Sequence, residues 1–118
     1  MFKDKNVLVT GGTGMIGREL VQLLLDRGAK IRVASLDEPV DFFEEVEFHK
    51  VDLTNYENCE MICEGMDYVF HVAGIKASAE MPKIKPLNYF IPLVKFNINM
   101  MEAAFKAGVG WYLYTSSY

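Results

Sequence analysis

The residues best suited to chemistry begin at Thr10-Gly11-Gly12-Thr13-Gly14-Met15-Ile16-Gly17, where Gly12, Gly14 and Gly17 stand in the G-x-G-x-x-G spacing. Such a turn suits a pyrophosphate. The first glycine permits a tight bend, the second lets backbone approach the phosphates, the third lets a helix pack on a strand, and the N–H groups at the helix start hold the anion. The plainer reading, a turn that merely joins two elements, is countered by its place between a strand-like run and an amphipathic helix. A Walker A loop would need Gly-Lys-Ser/Thr, and Gly17 is followed by Arg18 and Glu19. Metal chemistry finds no support: Cys59 and Cys63 fall in a helix-like stretch, and the only histidines, His49 and His71, in strand-like ones. The cysteines read as ordinary reduced thiols.

Elements that would position these residues follow from the apolar spacing. Lys5–Thr10 reads as a strand buried on both faces. Met15–Arg27 reads as a helix by Ile16, Leu20, Leu23 and Leu24, with Gly28 as its stop. Ala29–Ser35 and Glu47–Asp52 are further strands, Asn55–Glu64 a short helix capped by Thr54 or Asn55, and Asp67–Val72 the fourth strand. Ala77–Pro92 holds Pro82, Pro86 and Pro92, which predicts a loop in its first half and at most a short or kinked helix after it. Val94–Ala107 is helical by Phe96, Met100, Met101, Ala104 and Phe105, and Trp111–Thr115 is the fifth strand. Strands alternating with helices, joined by right-handed crossovers, predict an α/β fold: a doubly wound parallel sheet of about five strands with helices on both faces.

Ligands of open α/β sheets bind beyond the carboxyl ends of the strands. That places Val72, Ala73 and Gly74 after strand four, small enough at Ala73 and Gly74 to let a cofactor lie against backbone, and Thr115, Ser116 and Ser117 after strand five. Asp37, twenty positions after Gly17, stands near the acidic residue expected to accept from a ribose 2′-OH. It favours NAD over NADP, although an alignment that puts Ser35 there would tolerate a 2′-phosphate.

Together these residues resemble the extended short-chain dehydrogenase/reductase superfamily, the NAD-dependent epimerases and dehydratases of sugar nucleotides. Thr10–Gly17 is similar to its T-G-x-x-G-x-x-G, with Gly11, Gly14 and Gly17 as the glycines. His71-Val72-Ala73-Gly74 resembles its H-x-A-G, Asn99–Ala104 with Gly108-Val109 its N-L-L-E-A-A and G-V, and Leu113–Ser117 its F-x-S-S-S. By that resemblance Asp52 and Leu53 form an acidic adenine-binding pair. Asp52 would accept from the amino group and the Leu53 N–H would donate to a ring nitrogen; a role for Asp52 as helix cap before Asn55 is the alternative. Lys76 is similar to the lysine that reaches the cofactor in UDP-galactose 4-epimerases, its alternative being a solvated loop lysine. Ser117, with Ser116 as runner-up, matches the hydroxyl that binds the substrate's reacting oxygen. His71, inside an apolar strand, is assigned no catalysis.

Two departures stand out. The family's N-x-x-G-T falls on Leu93–Asn97, which reads L-V-K-F-N. Its catalytic Tyr-x-x-x-Lys has no counterpart: Tyr56, Tyr68, Tyr89, Tyr112 and Tyr114 are followed four positions later by Glu60, Val72, Leu93, Ser116 and Tyr118. The expectation is one dinucleotide-binding domain over residues 1–118, the amino-terminal part of a longer enzyme that moves a hydride between NAD(P) and a sugar carbon. Alone, such a chain would be inactive. The alternative is a non-catalytic dinucleotide-binding or redox-sensing module acting through a protein partner.

The 118 residues, 51% hydrophobic and 24% charged, suffice for one packed core. A net charge of −4 and a pI near 5.1 give no attraction to nucleic acid or anionic lipid. No apolar window reaches the length of a spanning helix, and the amino terminus is unlike a signal peptide, so the cytoplasm is expected. The implied partner is a nucleotide sugar. The oligomeric state stays open, with a homodimer of the full-length protein among the forms open to it.

Overall fold

β1 (Asn6–Thr10) places Val7, Leu8 and Val9 in succession, all fully buried, so apolar side chains leave both faces of the strand. The two faces are covered by different helices. Residues 2–11, 15–36, 44–72 and 86–114 are described by a computed structural model of the chain. On one face α1 (Met15–Asp26) sets Val21 and Leu24 against Val7, Val9 and Phe70. On the other, α2 (Tyr56–Cys63) and α3 (Pro86–Lys106) set Ile62, Phe96 and Met100 against Leu8 and Val69. The remaining strands are β2 (Lys30–Ser35), β3 (Glu47–Lys50), β4 (Tyr68–His71) and β5 (Trp111–Tyr114), and all pairings are parallel in the order β3-β2-β1-β4-β5. This is the expected doubly wound α/β sheet, with its change of winding direction between β1 and β4.

Local stops follow from backbone chemistry. Gly28 has φ 81°, a conformation open to glycine. Its N–H donates to the Leu25 carbonyl and that of Ala29 to the Leu24 carbonyl, the two bonds that close α1. At the start of α2 it is Asn55 that caps, its Oδ1 accepting from the Glu57 N–H at 3.0 Å.

Three expectations need correction. On α1, Ile16 and Leu23 are exposed, 69% and 54%, because they lie about 100–120° around the helix from the buried face of Gly17, Val21 and Leu24. On α3, Met101 and Phe105 are likewise exposed, and Phe96, Met100, Ala103 and Ala104 face the core. α3 also begins eight residues earlier than Val94, at Pro86. Proline at a first helical position forfeits no internal bond, and packing on α2 and the sheet sustains the helix through Pro92, which forfeits one.

Candidate functional site

The carboxyl ends of the five parallel strands form one edge, and the turn after β1 and the segment after β4 flank its change of winding direction. Gly11 leaves β1 with φ 72°, and its N–H donates to the Ala34 carbonyl of β2 at 2.9 Å. The Val72 N–H donates to the Thr10 carbonyl at 3.3 Å, so the tip of β1 is tied to both neighbours. Gly17 is buried within α1, and no acidic side chain stands in the first turn of that helix, so nothing there opposes an anion. Ile16 projects into solvent, and Met15 opens the helix.

Below this edge lies a buried polar chain. Thr10 and His71 are register partners on β1 and β4, and both are almost wholly buried. The Thr10 hydroxyl donates to His71 Nδ1 at 2.7 Å, and His71 Nε2–H donates to Asn97 Oδ1 of α3 at 2.7 Å. Burial pushes the imidazole pKa below its ordinary value, against the opposing pull of the Asn97 bond, so the ring is neutral, with one nitrogen accepting and the other donating. Phe96 meets the ring edge-on at 5.1 Å and Tyr112 stacks on it at 6.2 Å. His71 is the satisfied core histidine expected, and sequence reasoning missed its partners because they lie 61 and 26 residues away.

Asp52 is exposed just beyond β3. Its Oδ1 accepts from the Thr54 hydroxyl at 2.7 Å and the Thr54 N–H at 2.9 Å, which, with the nearby Lys95 charge, hold the carboxyl below its usual range. Asp52 thus shapes the turn and leaves the capping of α2 to Asn55. Among the described residues no hydrogen bond reaches its Oδ2 or the Leu53 N–H. Leu53 is buried, and its carbonyl and that of Thr54 accept from Asn99 Nδ2 at 3.3 and 3.1 Å. Asn99 therefore fastens α3 to this turn, a role its place in N-M-M-E-A-A did not suggest.

Gly12, Thr13, Gly14, Asp37, Ala73, Gly74, Lys76, Thr115, Ser116 and Ser117 lie outside the described residues. Of the remaining candidates, Gly11, Gly17, Asp52, Leu53 and Val72 gather at the carboxyl edge with Met15 and Ile16 at the start of α1. Among the described residues no cluster of three or more histidine, cysteine or acidic side chains could hold a metal ion, and no helix is long and apolar enough to cross a membrane.

Known proteins resemble this chain in sequence and fold. The 3β-hydroxysteroid dehydrogenase/Δ5→4-isomerase of Mycobacterium tuberculosis is 34% identical over 117 residues, covering 94% of this chain and 31% of that protein. UDP-glucose 4-epimerase of Rickettsia conorii is 30% identical over 115 residues, covering 87% of this chain and 32% of the epimerase. The solved structure of an epimerase from Methanothermobacter thermautotrophicus superposes with a TM-score of 0.86 at 29% identity, covering 98% of this chain and 36% of that one. The chain thus spans about a third of the length of the curated relatives it matches. The model of the NAD-dependent epimerase/dehydratase family matches residues 7–118, and with the glycine turn, the sheet order and these relatives it makes the chain a member of that family.

Proposed function

We propose that this chain is the dinucleotide-binding part of an enzyme that transfers a hydride between NAD and a hydroxyl-bearing carbon of a nucleotide sugar. The observation that carries the proposal is the convergence, at the carboxyl edge of a β3-β2-β1-β4-β5 sheet, of the positive-φ Gly11 turn, the α1 amino terminus and the Asp52-Leu53 pair.

The described groups suit such a cofactor. Backbone N–H groups of the Gly11–Gly17 turn would hold the pyrophosphate, buried Gly17 allowing α1 to sit close to the sheet. Asp52 Oδ2 and the Leu53 N–H would take the adenine, and the low carboxyl pKa keeps Asp52 an acceptor at neutral pH. Val72, Ala73 and Gly74 would let the cofactor lie along the β4 tip, with Lys76 offering its ammonium to a phosphate or ribose oxygen. Asp37 would accept from the ribose 2′-OH and repel a 2′-phosphate, which makes NAD the preferred cofactor over NADP. When bound, the dinucleotide supplies the hydride acceptor. Ser117, with Ser116 as the runner-up, would hold the reacting sugar oxygen by a hydrogen bond, and Thr115 would lie against the cofactor. A hydroxysteroid in place of the sugar is the second reading, favoured by the 34% identity to the mycobacterial enzyme.

Titration calorimetry with NAD, NADP and UDP-glucose tests the proposal. Expected is binding of NAD more tightly than NADP, lost in Gly14→Val, where a side chain would occupy the phosphate position. A folded Gly14→Val variant that binds NAD like the parent would overturn the site.

A further inference from the structure

The family's N-x-x-G-T falls on Leu93–Asn97, and this chain carries Phe96 and Asn97 where that pattern has glycine and threonine. Both departures meet at one side chain. Phe96, 5% exposed, packs against His71 in an edge-on ring contact, and Asn97 Oδ1 accepts a hydrogen bond from His71 Nε2–H at 2.7 Å. The other ring nitrogen accepts from Thr10, the last residue of β1 and the one directly before the Gly11 turn. The β1 tip is also tied across the change of winding direction by its ladder with β4 and by the Val72-to-Thr10 backbone bond at 3.3 Å. A neutral imidazole with a donor on one side and an acceptor on the other is the group that can join a hydroxyl to an amide oxygen in this way.

We propose that Asn97 and Phe96, acting through His71, are positioning residues for the dinucleotide: the Thr10–His71–Asn97 chain couples α3 to the β1 tip and so sets the Gly11 turn that receives the pyrophosphate. The inference rests on the NAD reading above and adds to it a control on affinity from the far side of the sheet. It also makes binding sensitive to acid. A second proton on the ring puts N–H groups on both nitrogens, so the Thr10 hydroxyl must turn from donor to acceptor, and the buried imidazolium carries a charge that the Asn97 amide does not balance. The groups packed against the ring from β1, α3 and β5 are Thr10, Phe96, Asn97 and Tyr112. Among these described neighbours the Tyr112 phenol is the only titratable group, and none bears a charge at neutral pH to compensate an imidazolium.

The test is NAD affinity of the 118-residue protein by titration calorimetry from about pH 8 down through the ordinary histidine range. Asn97→Leu leaves the Nε2–H unpaired and is expected to weaken NAD on the order of tenfold at high pH. Asn97→Asp keeps the acceptor and adds a charge that favours imidazolium. It is expected to bind NAD like the parent at high pH and to lose it at a higher pH than the parent does. Ile62→Val, which removes a methylene from the α2 core without touching the chain, is expected to lower stability and leave NAD affinity unchanged. A folded Asn97→Leu with parental affinity, or an Asn97→Asp whose acid loss coincides with the parent's, would overturn the positioning role alone. Failure of the parent to bind NAD would overturn the proposed function and this inference together.

Discussion

His71 gives the stability of this protein a defined pH dependence. The side chain is 2% exposed and held neutral, and burial places its folded-state pKa below the ordinary 6.5 that it regains on unfolding. The unfolded chain therefore binds a proton more readily than the folded one below pH 6.5, and stability falls as the pH falls. Unfolding gains at most about 1.4 kcal/mol from this proton at about pH 5.5, one unit below the unfolded value, the full amount being reached only where the folded imidazole is neutral. That is a measurable part of the ~5–15 kcal/mol typical of a domain. Asp52 and Glu47 act elsewhere. Asp52 is held down chiefly by its bonds from Thr54 and Glu47 by its bond from His49, so the stability they contribute is lost only as the pH falls through the carboxylate range. The perturbation is His71→Phe, which keeps a ring between Phe96 and Tyr112 and removes the titration. Urea unfolding at a series of pH values from about 8 to 5 should show the parent losing stability relative to the variant, since contributions from the rest of the chain cancel in the difference. Parallel stability profiles over that range would refute the assignment of a buried neutral imidazole.

Three further outcomes are expected. Gly11→Ala puts a Cβ on a residue at φ 72° and should lower stability by about 1–2 kcal/mol, read by the urea midpoint; an unchanged midpoint would mean that the turn relaxes freely. Burial pushes the Cys59 and Cys63 thiols up to about 12 and about 11, and Cys59 Sγ–H donates to the Leu53 carbonyl, so a thiol reagent at about pH 8 should label neither until the protein is denatured. With no Tyr-x-x-x-Lys in the 118 residues to take a proton from the reacting hydroxyl, the chain alone should turn over no nucleotide sugar or hydroxysteroid, followed by NADH absorbance. Turnover in the usual range of about 1–10³ per second would sink that reasoning.

Much of this protein was legible in local sequence. β-branched runs, helical spacing and the glycine stop at Gly28 place all five strands and the helices α1 and α2 to within one or two residues, because those signals act between neighbours along the chain. The glycine turn and the candidates after each strand were legible for the same reason: a parallel sheet brings every strand's carboxyl end to one edge. Tertiary packing decided the rest. Phe105 and Met101 carry the same apolar signal as Phe96 and Met100, and only the position of the sheet determines which pair is buried. Prolines argue against a helix through Pro92, but burial of one face of α3 against α2 and β4 outweighs one missing backbone bond. The pairings of His71 with Asn97 and of Asn99 with the Leu53-Thr54 turn join residues 26, 46 and 45 positions apart. No local spacing encodes such contacts, because they exist only once the crossover from β4 has laid α3 across the sheet beside the end of β3.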